Sequence, residues 1–259
     1  MSVLLAGVAK SKFLARWLEE AERIWNKVRG EKKEKLTVYE RLDYQRLLST
    51  QSSKAKYRVV YLTSATYLAA CVVNNAPLDV STQSGPVKIN GIIIDATLYR
   101  YDTDNEDEAY YLASVFNSSV LDELIKLVQA KGQFGHRHIH KKPLEFPIPR
   151  YDPNNSIHRR LCELGKMATQ EAYRVLPDIL RELGYDTKLK QREYLEPQEV
   201  GRIRSAIREV LSDILREIDN LVVEVLMTSS REETGLSKWL KPKEKWLHVS
   251  ASEKVYLDE

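Results

Sequence analysis

The clearest hydrophobic pattern in the chain lies between residues 109 and 149. After a polar break at residues 117–119, apolar side chains recur at helical spacing, at Leu121, Leu124, Ile125 and Val128. This spacing predicts two consecutive helices, the second with one buried face. Gly132 is expected to end the second helix, because glycine readily adopts the left-handed conformation found at helix C-termini. A histidine- and lysine-rich segment follows, and then a proline-punctuated extended run at residues 146–149.

A second amphipathic pattern spans residues 8–30 and predicts an N-terminal helix. Its apolar stripe comprises Phe13, Trp17, Leu18, Ala21, Ile24, Trp25 and Val28. The stripe allows two interpretations, a helix that packs within the chain or a docking surface for another domain or subunit. A solvated charged linker at residues 31–35 and a short helix at residues 39–48 are predicted to follow.

The middle of the chain has the composition of β-strands. Residues 57–63 and 67–73 are rich in β-branched and aromatic side chains and predict a pair of strands joined as a hairpin. Residues 74–86 are predicted to form a turn-rich loop, and residues 87–101 to form one or two further strands. Asn105 with Glu108 three residues later predicts a capping box at the start of the central helix pair.

The remaining chain is predicted to be helical. Turn-forming residues at 152–156 predict the start of a helix that Pro177 should kink or break and Gly184 should close. From Pro197 to Val225, apolar residues recur every three or four positions, which predicts one long helix with a seam close to a heptad repeat. Residues 227–259 lose this periodicity and are predicted to form a tail.

The order of helix, strands and helices predicts an α+β fold. The expected architecture is a small mixed sheet with a central helix pair, flanked by an N-terminal amphipathic helix and a C-terminal bundle of long helices. The predicted divisions are an N-terminal helix at 1–35, an α/β domain at 36–150, a helical region at 151–226 and a tail at 227–259.

Composition limits the class of protein. The net charge of the 259 residues is only +3, so a nucleic-acid surface would have to come from local clustering of basic residues. Cys71 and Cys162 lie in apolar contexts and are expected to be buried thiols in a reducing compartment. No apolar run approaches the roughly 18 residues of a membrane span, so a cytoplasmic protein without a membrane partner is expected.

The densest basic cluster lies in residues 131–142. Lysine and arginine in such a loop can neutralise the phosphates of double-stranded DNA, and further basic residues fall in or beside the loops of the strand region. If these loops share a face, they form a positive groove. The candidate DNA-binding residues are Lys131, Arg137, His138, His140, Lys141, Lys142, Arg58 and Lys88. Lys141 is the expected phosphate contact.

The sequence has none of the common catalytic signatures. It lacks a glycine-rich phosphate loop, a Gly-x-Ser-x-Gly elbow, a Cys-x-x-Cys pair and a His-Glu-x-x-His motif. His136, His138 and His140 alternate and would share one face of an extended segment, so a metal-dependent nuclease is an alternative hypothesis. The flanking cations would repel a metal ion, and no metal or other cofactor is predicted. A helical assembly protein is the third hypothesis.

Three short motifs follow one another between residues 110 and 161. The first is a Tyr-Tyr-Leu helix followed by Asn-Ser, at Tyr110, Tyr111, Leu112, Asn117 and Ser118. The second is an Ile-x-Lys segment followed by Pro-Ile-Pro, at His138, Ile139, Lys141, Pro147, Ile148 and Pro149, and the third is an Asp–His–Leu spacing at Asp152, His158 and Leu161. In their order and spacing these motifs resemble the C-terminal target-recognition region of adenine-specific DNA methyltransferases of restriction–modification systems, especially fused methylase–restriction polypeptides. The resemblance covers roughly residues 37–226.

The resemblance implies that the region binds double-stranded DNA and selects the sequence to be modified. The catalytic part of that family needs an S-adenosylmethionine site and an Asn-Pro-Pro-Tyr-type motif that holds the flipped adenine, and this sequence has neither. The chain is therefore not expected to be an enzyme on its own. It is expected to act with a methyltransferase or restriction subunit, or to be a remnant of such a system, with self-association through the long helices as a further expectation.

Overall fold

A computed structural model of the protein describes residues 12–29, 37–43, 46–52, 54–82, 85–95, 97–128, 131–132, 135–136, 139–190 and 194–232. The helices are α1 Lys12–Val28, α2 Val38–Leu42, α3 Glu106–Asn117, α4 Ser119–Val128, α5 Lys142–Glu145, α6 Ser156–Glu182, α7 Asp186–Lys190, α8 Pro197–Val210 and α9 Ser212–Glu232. The strands are β1 Tyr57–Leu62, β2 Ala70–Asn74, β3 Leu78–Thr82, β4 Gly85–Ile89, β5 Leu98–Thr103, β6 Lys131–Gly132 and β7 Gly135–His136.

The predicted α+β fold class is confirmed. The central sheet has the strand order β2-β1-β5, and both pairings are antiparallel, so this sheet is antiparallel rather than mixed. The predicted pair of strands at 57–63 and 67–73 is present as β1 and β2. Strands β3 and β4 form a separate antiparallel hairpin, which corrects the predicted loop at 74–86, since β3 lies within it.

The chain divides into two compact units. Among the described residues, the first comprises 12–29, 37–43, 46–52 and 92–95, and the second comprises the others. In the first unit the Gln51 amide accepts from the Ile94 N–H at 2.9 Å and donates to the Ile94 carbonyl at 2.6 Å. Helix α1 packs against α2. Leu18 of the predicted α1 stripe is buried, whereas the exposed members are Phe13, Trp17, Ile24 and Val28.

The core of the second unit is built on helix α3, which lies between the sheet and α6. On the sheet side, the rings of Tyr61 and Phe116 meet edge to face with centroids 5.4 Å apart. On the other side, α3 and α6 approach closely at Gly165, where a Cβ atom would lie 2.3 Å from the Ser114 Oγ. Large apolar side chains with no solvent exposure fill this core, among them Phe116, Leu121, Leu144, Ile148 and Leu161.

The C-terminal helices follow the predicted pattern with three differences. Helix α6 begins after Asn155, whose side chain accepts two N–H groups of the first turn, and it ends before Gly184 at φ +74°. Pro177 lies inside α6 without interrupting it. The single helix predicted from Pro197 is instead two helices, α8 and α9, separated at Leu211. Helix α9 also continues beyond residue 227 into the predicted tail, and residues 233–259 lie outside the described residues.

Two smaller predictions are corrected. Cys71 is exposed and only Cys162 is buried. Asn105 does cap α3, because its side chain accepts the N–H groups of Asp107 and Glu108. The other hydrogen bond of the predicted capping box, from the Asn105 N–H to the Glu108 carboxylate, is not formed. The Glu108 carboxylate instead accepts the hydroxyls of Tyr101 and Thr103. No described helix has the length and apolarity that crossing a membrane would require.

Candidate nucleic-acid interface

The motif residues quoted from the sequence form a structural scaffold. The Asn117 side chain accepts the Ala70 N–H at 3.1 Å and donates to the Ala70 carbonyl at 2.8 Å, which joins the end of α3 to the start of β2. The Tyr111 hydroxyl donates to the carbonyl of Pro149 at 3.0 Å. His158 accepts the Asp152 N–H on its Nδ1 at 3.0 Å. These side chains therefore fix backbone segments to one another.

The segment that follows the β6–β7 hairpin is anchored to the end of β1. The N–H groups of Ile139 and His140 both donate to the Thr63 carbonyl, at 3.0 and 2.9 Å. His140 has a φ of +46°, which is uncommon for a residue other than glycine, and its ring meets the Tyr99 ring edge to face. This segment is therefore held in one place beside the sheet, in a backbone conformation that tertiary contacts must maintain.

Two lysines, Lys141 and Lys142, follow this anchored segment at the surface. We call residues 140–142 the lysine arm. Lys141 and Lys142 are both half-buried, and α5 behind them buries Pro143 and Leu144. The Lys141 Nζ lies 3.6 Å from the Glu145 Oε1. A partly exposed pair of this length contributes little to stability.

A second basic feature lies around Tyr67, in the connection between β1 and β2. The Cζ of Arg204 lies 4.2 Å from the centre of the Tyr67 ring, and the Nζ of Lys126 lies 5.0 Å from it. Arg208 is one turn after Arg204 and donates to the Asn117 carbonyl at 3.4 Å. Asp122 binds the Lys126 Nζ at 2.7 Å. We call Tyr67, Asp122, Lys126, Arg204 and Arg208 the Tyr67 cluster.

The cluster has an excess of positive charge. It holds three cations and one carboxylate, and the Asp122 carboxylate also accepts the Leu68 N–H at 2.7 Å. Within the described part of the chain, neither Arg204 nor Arg208 forms an ion pair with a carboxylate. Burial lowers the pKa of Arg204, and the neighbouring charge of Arg208 lowers this pKa further, while Asp122 and Tyr67 oppose the change.

The lysine arm and the Tyr67 cluster lie at the same end of the sheet. Thr63, which anchors the arm, and Tyr67 belong to the same connection and are four residues apart. Their backbones are therefore at most about 14 Å apart. We call the surface formed by Lys126, His140, Lys141, Lys142, Arg204 and Arg208 the basic end. Its members come from three separate segments of the sequence that the fold brings together.

The structure contradicts the prediction for Arg58. Its side chain is 0% exposed and its Nε lies 3.5 Å from the Asp102 Oδ1. Arg100 is also buried, with its Nε 3.4 Å from the Asp102 Oδ2. Because successive side chains of a strand point to opposite faces of the sheet, Arg58 shares a face with Val60 and lies on the opposite face from Tyr61. Arg58 is therefore a buried charge within the fold and has no route to a DNA phosphate.

The other predicted basic residues of the strand region lie away from the basic end. Lys88 is exposed, but it lies on the β3–β4 hairpin opposite Asp79. The base of that hairpin is at Asn75, at the opposite end of β2 from Ala70. Lys54 and Lys56 precede β1 and are exposed at that opposite end as well. The single groove predicted from all these loops is therefore absent from the described residues.

Part of the predicted basic segment lies outside the described residues. The backbone of Lys131 lies in β6, whereas Arg137 and His138 lie outside the described residues. The same holds for the metal hypothesis, since the side chain of His136 and all of His138 lie outside them. Among the residues that the structure does describe, no group of three histidine, cysteine, aspartate or glutamate side chains could hold a metal ion.

The Tyr67 cluster was not predicted from the sequence. Its members are distant in the chain, at positions 67, 122, 126, 204 and 208. The local signals are two four-residue spacings, Arg204 with Arg208 and Asp122 with Lys126, each of which places both residues on one face of a helix. Comparison of the chain with protein-family models, with curated proteins and with solved structures finds no match. The resemblance stated from the motifs therefore stays a prediction.

Proposed function

We propose that this chain is a DNA-recognition module of a restriction–modification methyltransferase, which binds double-stranded DNA and acts with a separate catalytic subunit. The observation that carries the proposal is the basic end, where cations from three segments of the chain lie at one end of the central sheet. The resemblance of the motifs at residues 110–161 to target-recognition regions supports the same function. The chemistry of methyl transfer would belong to the partner, because the chain lacks the motifs for it.

The physical basis of the proposal is neutralisation of the DNA backbone. Each phosphate that a lysine or arginine neutralises releases a condensed counterion, and binding therefore weakens steeply as salt concentration rises. Rigid elements hold the basic end, with Thr63 anchoring the lysine arm and Asn117 joining α3 to β2. A surface fixed in this way loses little conformational entropy on binding.

The test is binding to a labelled random-sequence DNA duplex, followed by fluorescence anisotropy across a salt series. A double variant, Lys141→Ala with Lys142→Ala, removes the two lysines of the arm. Its matched control, Lys54→Ala with Lys56→Ala, removes the same charge from the opposite end of the sheet. We expect the slope of log K against log salt to become shallower by about 1 to 2 in the first variant only, at roughly 0.9 for each lost phosphate contact.

The outcomes separate clearly. Salt-dependent binding by the wild-type chain that the arm variant weakens and the control does not would support the proposal. Equal effects of the two variants would show that only overall charge matters, which argues against a recognition surface at the basic end. Absence of binding by the wild-type chain at low salt would overturn the proposal.

A further inference from the structure

The Tyr67 cluster has the properties of a preformed anion site. Arg204 and Lys126 both lie against one aromatic ring, and Tyr67 itself is 44% exposed. A cation–π contact orients a cation and stabilises it modestly, but it leaves the charge in place. The ring therefore positions two positive charges at the surface without neutralising either of them.

The single carboxylate of the cluster is already occupied. Asp122 accepts the Leu68 N–H with one oxygen and the Lys126 ammonium with the other, each at 2.7 Å. Arg208 uses one donor on the Asn117 carbonyl, whereas a guanidinium group carries five. Arg204 has no hydrogen-bond acceptor among the described residues. Most of the guanidinium donors of these two arginines thus remain for a ligand.

The spacing of the arginines suits a tetrahedral oxyanion. Arg204 and Arg208 are four residues apart on α8, which brings their Cβ atoms to about 5–6 Å from each other on one helix face. Guanidinium groups match phosphate oxygens in bidentate geometry, which a lysine does not. Two half-buried arginines side by side repel each other, and an anion between them would convert this repulsion into attraction.

We propose that the Tyr67 cluster binds a backbone phosphate of double-stranded DNA through Arg204 and Arg208, with Lys126 as the third cation. This inference rests on the proposed function and deepens it. The lysine arm and the Tyr67 cluster can then contact the same duplex together, because their anchoring backbones are at most about 14 Å apart. Helix α8 would thus be part of the DNA-binding surface as well as a support for α6, against which it packs.

The test is the same salt series with variants of the cluster. Arg204→Ala with Arg208→Ala removes both guanidinium groups, and Arg204→Lys with Arg208→Lys keeps both charges. A matched control, Arg202→Ala with Arg216→Ala, removes two exposed arginines of α8 and α9 that lie outside the cluster. Far-ultraviolet circular dichroism and thermal melting check that each variant is folded.

We expect the alanine pair to make the salt slope shallower by about 1 to 2, while the lysine pair and the control keep the wild-type slope. If the variant with both arginines changed to alanine does not fold, the variant with both changed to lysine still tests the inference. We expect this lysine variant to keep the wild-type slope of log K against log salt but to bind DNA more weakly. An unchanged slope in a folded alanine pair would overturn this inference and leave the proposed function standing. Loss of slope in the control to the same extent would also overturn it. Absence of DNA binding by the wild-type chain would overturn both.

Discussion

The side-chain amide of Asn117 pairs with the backbone of Ala70 in the way that a neighbouring β-strand would. Its Oδ1 accepts the Ala70 N–H at 3.1 Å, and its Nδ2 donates to the Ala70 carbonyl at 2.8 Å and to the Ala113 carbonyl at 2.9 Å. One side chain thus ends α3 and forms hydrogen bonds with both the N–H and the carbonyl of Ala70, the first residue of the edge strand β2. The Asn-Ser motif therefore has a structural role in joining the helix pair to the sheet.

Asn117→Asp should destabilise the fold by about 2 to 4 kcal/mol, because the aspartate oxygen that replaces Nδ2 faces two carbonyls and cannot donate to them. Urea-induced unfolding followed by circular dichroism measures this change. Asn154→Asp makes the same chemical change at an exposed turn position and should alter stability by about 0.5 kcal/mol or less. Equal stability of the two variants would show that the Asn117 amide contributes nothing to the fold.

Local patterns predicted the elements that local forces determine. The break at residues 117–119, the strand pair β1–β2 and the start of α6 at Asn155 all follow from spacing or from capping chemistry. The boundary between α8 and α9 was missed, because the apolar repeat continues through Leu211 and gives no sign of the break. Strand β3 was missed as well, since its residues are mostly polar and exposed.

The candidate site depends on tertiary contacts, and the sequence predicted only part of it. The basic character of residues 140–142 was visible, because the charges are adjacent. Arg58 and Arg100 had the same apparent character but are buried, since strand register decides which face each side chain occupies. Tyr67, Lys126 and Arg204 meet only after the helices pack, so no spacing along the chain indicates their contact.

The close approach of α3 and α6 can be tested by an alanine substitution at Gly165, with the same substitution at Gly201 of α8 as the comparison. A Cβ at Gly165 would lie 2.3 Å from the Ser114 Oγ and 2.7 Å from the Tyr110 carbonyl oxygen, so Gly165→Ala should destabilise by about 1 to 3 kcal/mol. Gly201 lies in α8 with no atom within 4 Å of such a Cβ, so Gly201→Ala should stabilise by about 0.5 to 1 kcal/mol. Thermal melting should therefore shift in opposite directions for the two variants.

The buried charges of the sheet depend on Asp102. This carboxylate lies between the buried guanidinium groups of Arg58 and Arg100, at 3.5 and 3.4 Å. Asp102→Asn keeps the shape but removes the negative charge, and we expect a loss of about 3 to 5 kcal/mol in urea denaturation. Asp79→Asn, on the exposed strand β3, is the control and should change stability by about 0.5 kcal/mol or less. A loss in Asp102→Asn no larger than in this control would contradict the assigned role.

His158 should make stability depend on pH. It is 4% exposed, its ring lies against that of Tyr111 with centroids 4.7 Å apart, and its Nδ1 accepts the Asp152 N–H. Burial lowers the pKa of His158, and the carboxylate of Asp152 only partly opposes this change. Protonation of Nδ1 would replace the accepted hydrogen bond with repulsion between two N–H groups, so the folded state requires the neutral ring.

The sign of the effect follows from linkage. The unfolded chain binds a proton at a pKa near 6.5 and the folded chain only at lower pH, so this contribution to stability is complete above about 6.5. It is lost as pH falls below that value, by at most about 1.4 kcal/mol per pH unit, until the folded pKa is reached. His158→Asn does not titrate, and its Oδ1 can accept the same N–H. The stability of the wild-type chain relative to this variant should therefore fall between pH 7.5 and pH 5 in urea unfolding, whereas a constant difference across that range would show that His158 does not titrate differently in the two states.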